Sequence, residues 1–198
     1  MKKDKENIKF FDSWAGLYGF DPVTLWLRWV QNLVLKQVPV TSESSVLDVG
    51  CGPGYGLSFF QKHGVKTLAG IDISPKMIAR ARKKVNAVLK VASVEKIPFS
   101  GNSFDFVANT ESFHHFSRPD KALKEIFRVL KPNGRLFLAD INFFFSFVHF
   151  LFKKLEPGHV KIYSKKELAE LFKRTGFKIV HQKRLAWFVI LTIGERKA

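Results

Sequence analysis

Glycines at alternate positions follow a short apolar segment in the first third of the chain. The segment is 45–49, which contains Asp48, and the glycines are Gly50, Gly52, Gly54 and Gly56. Glycine lets the backbone adopt positive φ and approach a ligand closely. An apolar stretch of helical character begins at Leu57, and a helix start offers free N–H groups and partial positive charge. Strand, glycine turn and helix together predict a nucleotide-binding corner of an open α/β sheet.

The spacing of these glycines distinguishes between the known classes of nucleotide-binding loop. A dinucleotide fingerprint needs glycine at the sixth loop position, which is Tyr55 here, and the Gly-Lys-Ser/Thr of a P-loop does not follow. The pattern instead resembles motif I of the class I S-adenosylmethionine-dependent methyltransferases. Four later segments resemble further motifs of that family, in order: 69–77, 97–99, 103–107 and 128–136. The resemblance implies an α/β fold, with a Rossmann-like doubly wound seven-stranded sheet, mostly parallel with an antiparallel C-terminal strand, and an N-terminal helical lid.

The resemblance also implies S-adenosyl-L-methionine as the cofactor and S-adenosyl-L-homocysteine as its product. Asp72, at the end of the second strand, is expected to accept both ribose hydroxyls; a cap for the next helix is the alternative. Ile73 would pack on the adenine. Gly50 and Gly52 would approach the methionine and ribose groups through backbone atoms. Asp48 would act indirectly, through hydrogen bonds that fix the loop or through water to the methionine ammonium.

The third motif departs from the family pattern. Related sequences carry an acidic residue that accepts from the adenine amino group, and Ser93 stands at that position. A neutral hydroxyl makes a weaker hydrogen bond than a carboxylate, and the Val94 N–H is expected to donate to the ring. Asn109, closing the fourth strand, is expected to meet the methionine ammonium. The remaining residues expected at the cofactor are Cys51, Gly54, Met77 and Tyr18.

Methyl transfer is an in-line displacement at a sulfonium carbon, so the protein mainly supplies orientation and a dry pocket. Many family members therefore need no dedicated base. If the acceptor must lose a proton, His114 and His115 after the fourth strand are the candidate catalytic bases, with Glu111 a weaker one. Packing or capping by the histidine pair is the competing interpretation. The histidines and the single cysteine show no metal-ligand spacing, so no metal is expected.

Local signals predict the elements that position these residues. Strands are expected at 45–49, 67–71, 87–91, 104–109 and 135–140, helices at 54–62, 74–86 and 120–129, and a turn at 132–134. Ser164 is expected to cap a helix ending at Arg174, with Glu167 completing a capping box and Gly176 ending the helix. Segments 177–184 and 186–194 are predicted to be antiparallel neighbours at a sheet edge.

The chain is predicted to be a single domain, 1–198, whose first 43 residues form a lid above a cofactor-binding core at 44–140. Residues 1–12 are expected to be a polar, fraying start, and 10–15 resembles the family's segment that folds over the cofactor. Asp21-Pro22 is typical of a helix start, and apolar residues recur at helical spacing from 23 to 38. A core-covering helix without ligand contact is the alternative to the lid.

A substrate-side insertion is expected at 141–163, before the C-terminal helix and strand pair at 164–198. Within it, 142–155 contains six phenylalanines and ends near Lys153 and Lys154. The run is too short to span a bilayer. Three roles are open for it: core packing alone, a hydrophobic acceptor pocket, or contact with an anionic membrane surface.

Composition limits the class of protein and its partners. The chain has 198 residues, 46% of them hydrophobic, and a formal net charge of +16. That excess implies attraction to an anionic partner, which could be nucleic acid, an acidic lipid surface or an acidic substrate. One cysteine excludes an internal disulfide and favours a reducing compartment. The early acidic residues argue against a secretory signal, so a cytoplasmic location is expected, and peripheral contact with a membrane is left open.

The first functional hypothesis is methyl transfer to a small-molecule or lipid-like acceptor, in the branch resembling quinone and phospholipid methyltransferases. RNA or protein methylation is the second, prompted by the charge. An Asn-Pro-Pro-Tyr type motif is absent after the fourth strand, where Asn-Thr-Glu-Ser stands at 109–112, and this disfavours chemistry on a flipped base. The third hypothesis is a non-catalytic, cofactor-binding partner subunit.

Overall fold

Seven strands form one sheet in the computed structural model, which describes residues 2–16, 22–142, 159–185 and 187–198. The strands are β1 Ser45–Val49, β2 Thr67–Asp72, β3 Val88–Val91, β4 Phe104–Thr110, β5 Leu130–Ile141, β6 Phe177–Leu185 and β7 Val189–Arg196. Their order is β3-β2-β1-β4-β5-β7-β6. The first five are parallel, while β7 runs antiparallel to both β5 and β6. The predicted sheet and its antiparallel C-terminal pair are confirmed.

Helices cover both faces of this sheet. They are α1 Lys2–Trp14, α2 Pro22–Leu35, α3 Tyr55–Lys62, α4 Pro75–Ala81, α5 Pro119–Val129 and α6 Lys165–Arg174. Residues of β1 alternate between the two layers: Leu47 and Val49 join the core under α5 and α6, whereas Val46 joins the core under α3 and α4. Two covered faces explain why β1 is buried along its whole length.

The C-terminal helix begins as its sequence predicts. The Ser164 hydroxyl accepts from the Glu167 N–H at 3.2 Å, and the Glu167 carboxylate accepts from the Ser164 N–H at 2.9 Å. This reciprocal capping box satisfies two N–H groups at the helix start that have no partner within the helix. The helix ends at Arg174, before Gly176 at φ +98°.

The expected fraying start is wrong, because the chain is helical from Lys2 to Trp14. Tertiary contacts hold this helix. The Asp12 carboxylate accepts from the Ser74 hydroxyl at 2.5 Å and from the Lys76 N–H at 3.2 Å. A largely polar helix gains most of its stability from such contacts and not from propensity, so its sequence did not reveal it.

The helix predicted at 74–86 is shorter in the structure and ends at Ala81. A turn follows, after which the Asn86 N–H donates to the Gln61 side chain at 2.8 Å. The basic residues of this region would lie close together if the helix continued, and like charges at i, i+4 destabilise a helix.

The predicted turn at 132–134 lies within β5, where the pairing with β4 shifts register between Phe104 and Phe106.

No helix in the described ranges is long and apolar enough to cross a bilayer. The phenylalanine-rich part of the predicted insertion, 143–155, lies outside the described residues.

Candidate active site

One pocket opens at the carboxyl edge of the parallel strands, where ligands bind in open α/β sheets. The loops after β1, β2 and β4 and the turn after β3 form its floor and walls. Eleven of the residues expected at the cofactor or in catalysis line it: Gly50, Cys51, Gly52, Asp72, Ile73, Met77, Ser93, Val94, Glu111, His114 and His115. Residues far apart in sequence therefore meet at the site that the glycine loop predicts.

The glycine loop is fixed by backbone bonds to the end of β2. The N–H groups of Gly50 and Cys51 donate to the Ile71 carbonyl at 2.9 and 3.0 Å. Gly50 has φ +72°, and a Cβ there would lie 2.8 Å from the Ser112 Cβ. Both the conformation and the close approach require glycine at this position.

Asp72 joins the loop to the start of α4. Its carboxylate accepts from the Gly52 N–H at 2.9 Å and from the Ser74 N–H at 2.8 Å, while the side chain lines the pocket. The α4 N-cap is Ser74, whose hydroxyl accepts from the Met77 N–H, so Asp72 is not the cap itself. Burial raises the pKa of Asp72 to about 6, although the N–H bonds from Ser74 and Gly52 oppose that rise.

Asp48 lies beneath the loop and is not among the residues that line the pocket. It is 1% exposed, and its Oδ2 has no hydrogen-bond partner in the described part of the chain. The expected hydrogen bonds from the loop to Asp48 are not found, because Ile71 and Asp72 accept from the loop N–H groups. Burial, with a smaller contribution from the Asp72 charge, raises the pKa of Asp48 to about 7.

We expect this buried carboxyl to make the unliganded protein less stable as pH rises from about 4 to 7. In that window the folded state binds more protons than the unfolded state, whose aspartates ionise near pH 4, so the free energy of unfolding falls with pH. Asp48→Asn should make the free energy of unfolding less dependent on pH. The difference in that free energy between variant and parent should shift in favour of the variant by roughly 1–3 kcal/mol from pH 4 to pH 8. Urea unfolding of both proteins across this range checks it, and parallel pH curves would contradict it.

Ser93 lines the pocket and starts a local turn. Its hydroxyl accepts from the Glu95 N–H at 3.2 Å and starts the 3₁₀ turn Val94–Lys96. Glu95, which the sequence did not single out, lines the pocket and pairs with Arg118. A carboxylate therefore lies at the pocket two residues after Ser93.

Asn109 is a correction, because it does not line the pocket. It is fully buried, and its amide donates to the Val49 carbonyl at 2.7 Å and to the Ser112 hydroxyl at 2.6 Å. It thereby joins the ends of β4 and β1. Gly54 is also absent from the lining and faces Ala81 instead. Tyr18 lies outside the described residues.

His114 and His115 form a 3₁₀ turn with Phe113 just after β4. The Asp140 carboxylate accepts from the His114 N–H at 2.6 Å and contacts its Nδ1 at 2.5 Å. A proton on Nδ1 makes Nε2 the basic nitrogen, as in other carboxylate-oriented imidazoles. Asp140 was missed in the sequence, where its signal was an acidic residue at the carboxyl end of a buried parallel strand. Both histidines remain candidate bases, and Asp140 orients the ring of His114.

Two helices before the core cover the pocket. Asn7, Phe11 and Trp14 of α1 and Trp26 and Gln31 of α2 all line it. The Phe11 ring meets the His115 ring edge to face at 5.0 Å, and the Gln31 amide donates to the Thr110 hydroxyl at 2.8 Å. The segment 10–15 thus lies over the site, as the family resemblance implied.

Comparisons with known proteins agree with this geometry. Residues 47–138 match a family model described as a methyltransferase domain. YcgJ of Bacillus subtilis (strain 168), named as an uncharacterised methyltransferase, is 30% identical over 71% of this chain, which spans 60% of YcgJ. The ubiquinone/menaquinone biosynthesis C-methyltransferase UbiE of Desulfotalea psychrophila is 26% identical, with 94% of this chain and 87% of UbiE covered.

A solved structure also shares the fold across nearly the whole chain. It belongs to the complex between the Haloferax volcanii Trm112 methyltransferase activator and a methyltransferase, and it superposes with a TM-score of 0.85 at 25% identity, covering 95% of this chain and 98% of that one. With the glycine loop, Asp72 and the strand order already described, these matches show that the chain belongs to the class I S-adenosylmethionine-dependent methyltransferases.

Proposed function

We propose that this protein transfers a methyl group from S-adenosylmethionine to a small-molecule or lipid-like acceptor. One observation carries the proposal: the glycine loop, the Asp72 carboxylate and His114, whose ring Asp140 holds from behind, line a single pocket at the carboxyl edge of the sheet. Cofactor and acceptor could therefore meet in one enclosed space, as an in-line displacement requires.

The residues present fit the proposed cofactor. Gly50 and Gly52 offer a backbone surface without side chains, the Asp72 carboxylate can accept from ribose hydroxyls, and Ile73 and Met77 add apolar surface for the adenine. The buried carboxyls below the loop also favour a ligand that brings positive charge. When bound, the cofactor supplies an activated methyl group on a sulfonium sulfur.

The cover formed by α1 and α2 favours a small acceptor over a folded macromolecule. Its aromatic residues Phe11, Trp14 and Trp26 make the acceptor side of the pocket largely apolar. The UbiE relative is named for ubiquinone and menaquinone biosynthesis, and a quinone-like ring would suit such walls. We infer that aromatic or lipid-like acceptors should be screened first.

His114 is the proposed proton acceptor when the acceptor atom must lose a proton. Asp140 holds the ring in place by contacting Nδ1 and the backbone N–H, so Nε2 can accept a proton without the ring reorienting. A side chain positioned as a general base contributes about 10²–10⁴-fold to the rate when the acceptor must lose a proton. His115, packed against Phe11, would shape the cavity beside it.

Calorimetric titration of the full chain with S-adenosylmethionine and S-adenosylhomocysteine tests the proposal. We expect saturable micromolar binding of both, followed by radiolabelled methyl transfer to members of a hydroquinone and lipid panel. Binding without transfer to any acceptor class, RNA and protein included, would favour the non-catalytic partner subunit. No binding of either compound would refute the cofactor assignment.

A further inference from the structure

Three large apolar side chains are exposed beside the pocket, in two neighbouring elements. Leu25 and Trp29 lie one turn apart on α2 and are 56% and 50% exposed, and Trp187, in the turn between β6 and β7, is 83% exposed. We call these three residues the aromatic face. Burying each of them in water-free surroundings would be favourable, since tryptophan and leucine are costly to leave in water.

Packing holds the two parts of the aromatic face together. The ring of Trp26 on α2 lies 4.5 Å from the ring of Phe188, which directly follows Trp187. Val30 and Val34 of α2 share a buried cluster with the start of β7. The two elements that carry the exposed residues are therefore fixed to each other.

The turn that carries Trp187 is itself held in place at the pocket edge. The Arg184 guanidinium donates to the Trp187 carbonyl at 2.8 Å and to the Asn142 carbonyl at 2.5 Å. The Asn142 N–H donates to the Phe188 carbonyl at 2.6 Å, and the preceding residue, Ile141, lines the pocket. The aromatic face is thus at the same edge of the sheet as the proposed reaction.

Two cations lie on or beside α2, at the Tyr55 side of this face. Neither α2 nor β6 contains an aspartate or glutamate. The Arg28 guanidinium lies 3.6 Å from the centre of the Tyr55 ring, and the Lys84 ammonium lies 3.9 Å from it. Tyr55 lines the pocket. Burial, followed by the charges of Arg80 and Arg28, lowers the pKa of Lys84.

We propose that the aromatic face docks on an anionic lipid bilayer, with Trp29 and Trp187 in the interfacial layer and Arg28 and Lys84 near headgroup phosphates. Tryptophan favours the membrane interface, and each nearby cation adds attraction to anionic lipid. The aliphatic Leu25 suits acyl chains better than stacking on nucleic-acid bases. This inference goes beyond the proposed reaction and does not depend on it.

Vesicle binding by the full chain, without cofactor, tests the proposal. We expect the protein to co-sediment with phosphatidylglycerol-containing phosphatidylcholine vesicles, with weaker binding to pure phosphatidylcholine. Trp29→Gln with Trp187→Gln should lower the partition coefficient about 10-fold or more. Arg28→Gln with Lys84→Gln should lower it on anionic vesicles alone, by about fivefold per cation.

Val88→Asn with Val91→Asn is the matched control, because those side chains are 57% and 47% exposed on β3, at the opposite edge of the sheet. Vesicle binding of the control should match the parent. Trp29 and Trp187 do not line the pocket, so S-adenosylhomocysteine affinity and thermal unfolding of the tryptophan variant should also match, which excludes misfolding.

Three outcomes would overturn the proposal. The first is that the parent does not bind anionic vesicles, and the second is that the β3 control loses as much vesicle binding as the tryptophan variant. The third is that, without lipid, the parent sediments as a dimer and the tryptophan variant as a monomer. The last result would make the aromatic face a self-association surface. Failure to bind vesicles would leave calorimetric cofactor binding unaffected, so it is distinguishable from failure of the proposed function.

Discussion

Asp72→Ala is expected to lower the affinity for S-adenosylhomocysteine by about 100-fold or more. The substitution removes the carboxylate proposed to accept the ribose hydroxyls, and charge-assisted hydrogen bonds contribute about 1.5–3 kcal/mol each. It also releases the Gly52 and Ser74 N–H groups, which hold the glycine loop against α4. Calorimetric titration of the variant beside the parent measures the loss.

Asp105→Ala provides the matched control for loss of a carboxylate. Asp105 lies near the amino end of β4, whereas Asp72 lies at the carboxyl end of β2. The Asp105 carboxylate accepts from the Ser45 N–H at 2.8 Å and pairs with Lys131 at 2.9 Å. Its variant should lose some stability and keep the parent's affinity for the cofactor product. Equal affinities in the parent and in Asp72→Ala would remove Asp72 from the cofactor site.

The same assignment predicts how affinity depends on pH. The ionised carboxylate accepts hydroxyl hydrogen bonds, and the pKa of Asp72 in the unliganded protein is raised to about 6. Below that pH binding must displace a proton, so affinity should fall progressively as pH drops from about 6, by roughly tenfold per pH unit at most. A titration series at several pH values, repeated with Asp72→Ala, would separate this effect from that of other groups.

Asp140→Ala is expected to destabilise the protein by about 3 kcal/mol. Asp140 is 4% exposed and accepts from the His114 and Ile141 N–H groups while contacting the His114 ring. Removing one partner of a buried polar pair leaves the other without compensation for its desolvation. Urea unfolding monitored by fluorescence measures the change.

Glu195→Ala is the comparison for a less buried pair, since Glu195 binds the partly exposed Arg135 at 2.8 Å. That variant should lose about 1 kcal/mol or less. A loss below 1 kcal/mol for Asp140→Ala as well would show that the buried pair contributes little.

Asp140→Asn keeps an acceptor oxygen and should therefore recover part of the stability. Lower methyl transfer without lower cofactor affinity in that variant would support the positioning of His114.

Local sequence determined the glycine corner and the ends of the strands around it. Gly50 needs positive φ beside an apolar strand, and Asp72 ends the next one, so residue type and order alone predict a nucleotide site at the carboxyl edge. The α6 capping box was equally local, because Ser164 and Glu167 lie three residues apart. Interactions over a few residues are the ones that a sequence pattern displays.

Tertiary structure decided the features that depend on distant partners. The α1 helix is held by the hydrogen bond between Asp12 and Ser74. The His114 ring is oriented by Asp140, which lies on the neighbouring strand. Asn109 has the residue type for ligand contact, but its amide donates to the backbone of β1 and the residue does not line the pocket. A buried polar group must find its partner wherever the packed chain provides one, and the sequence pattern alone does not show where that is.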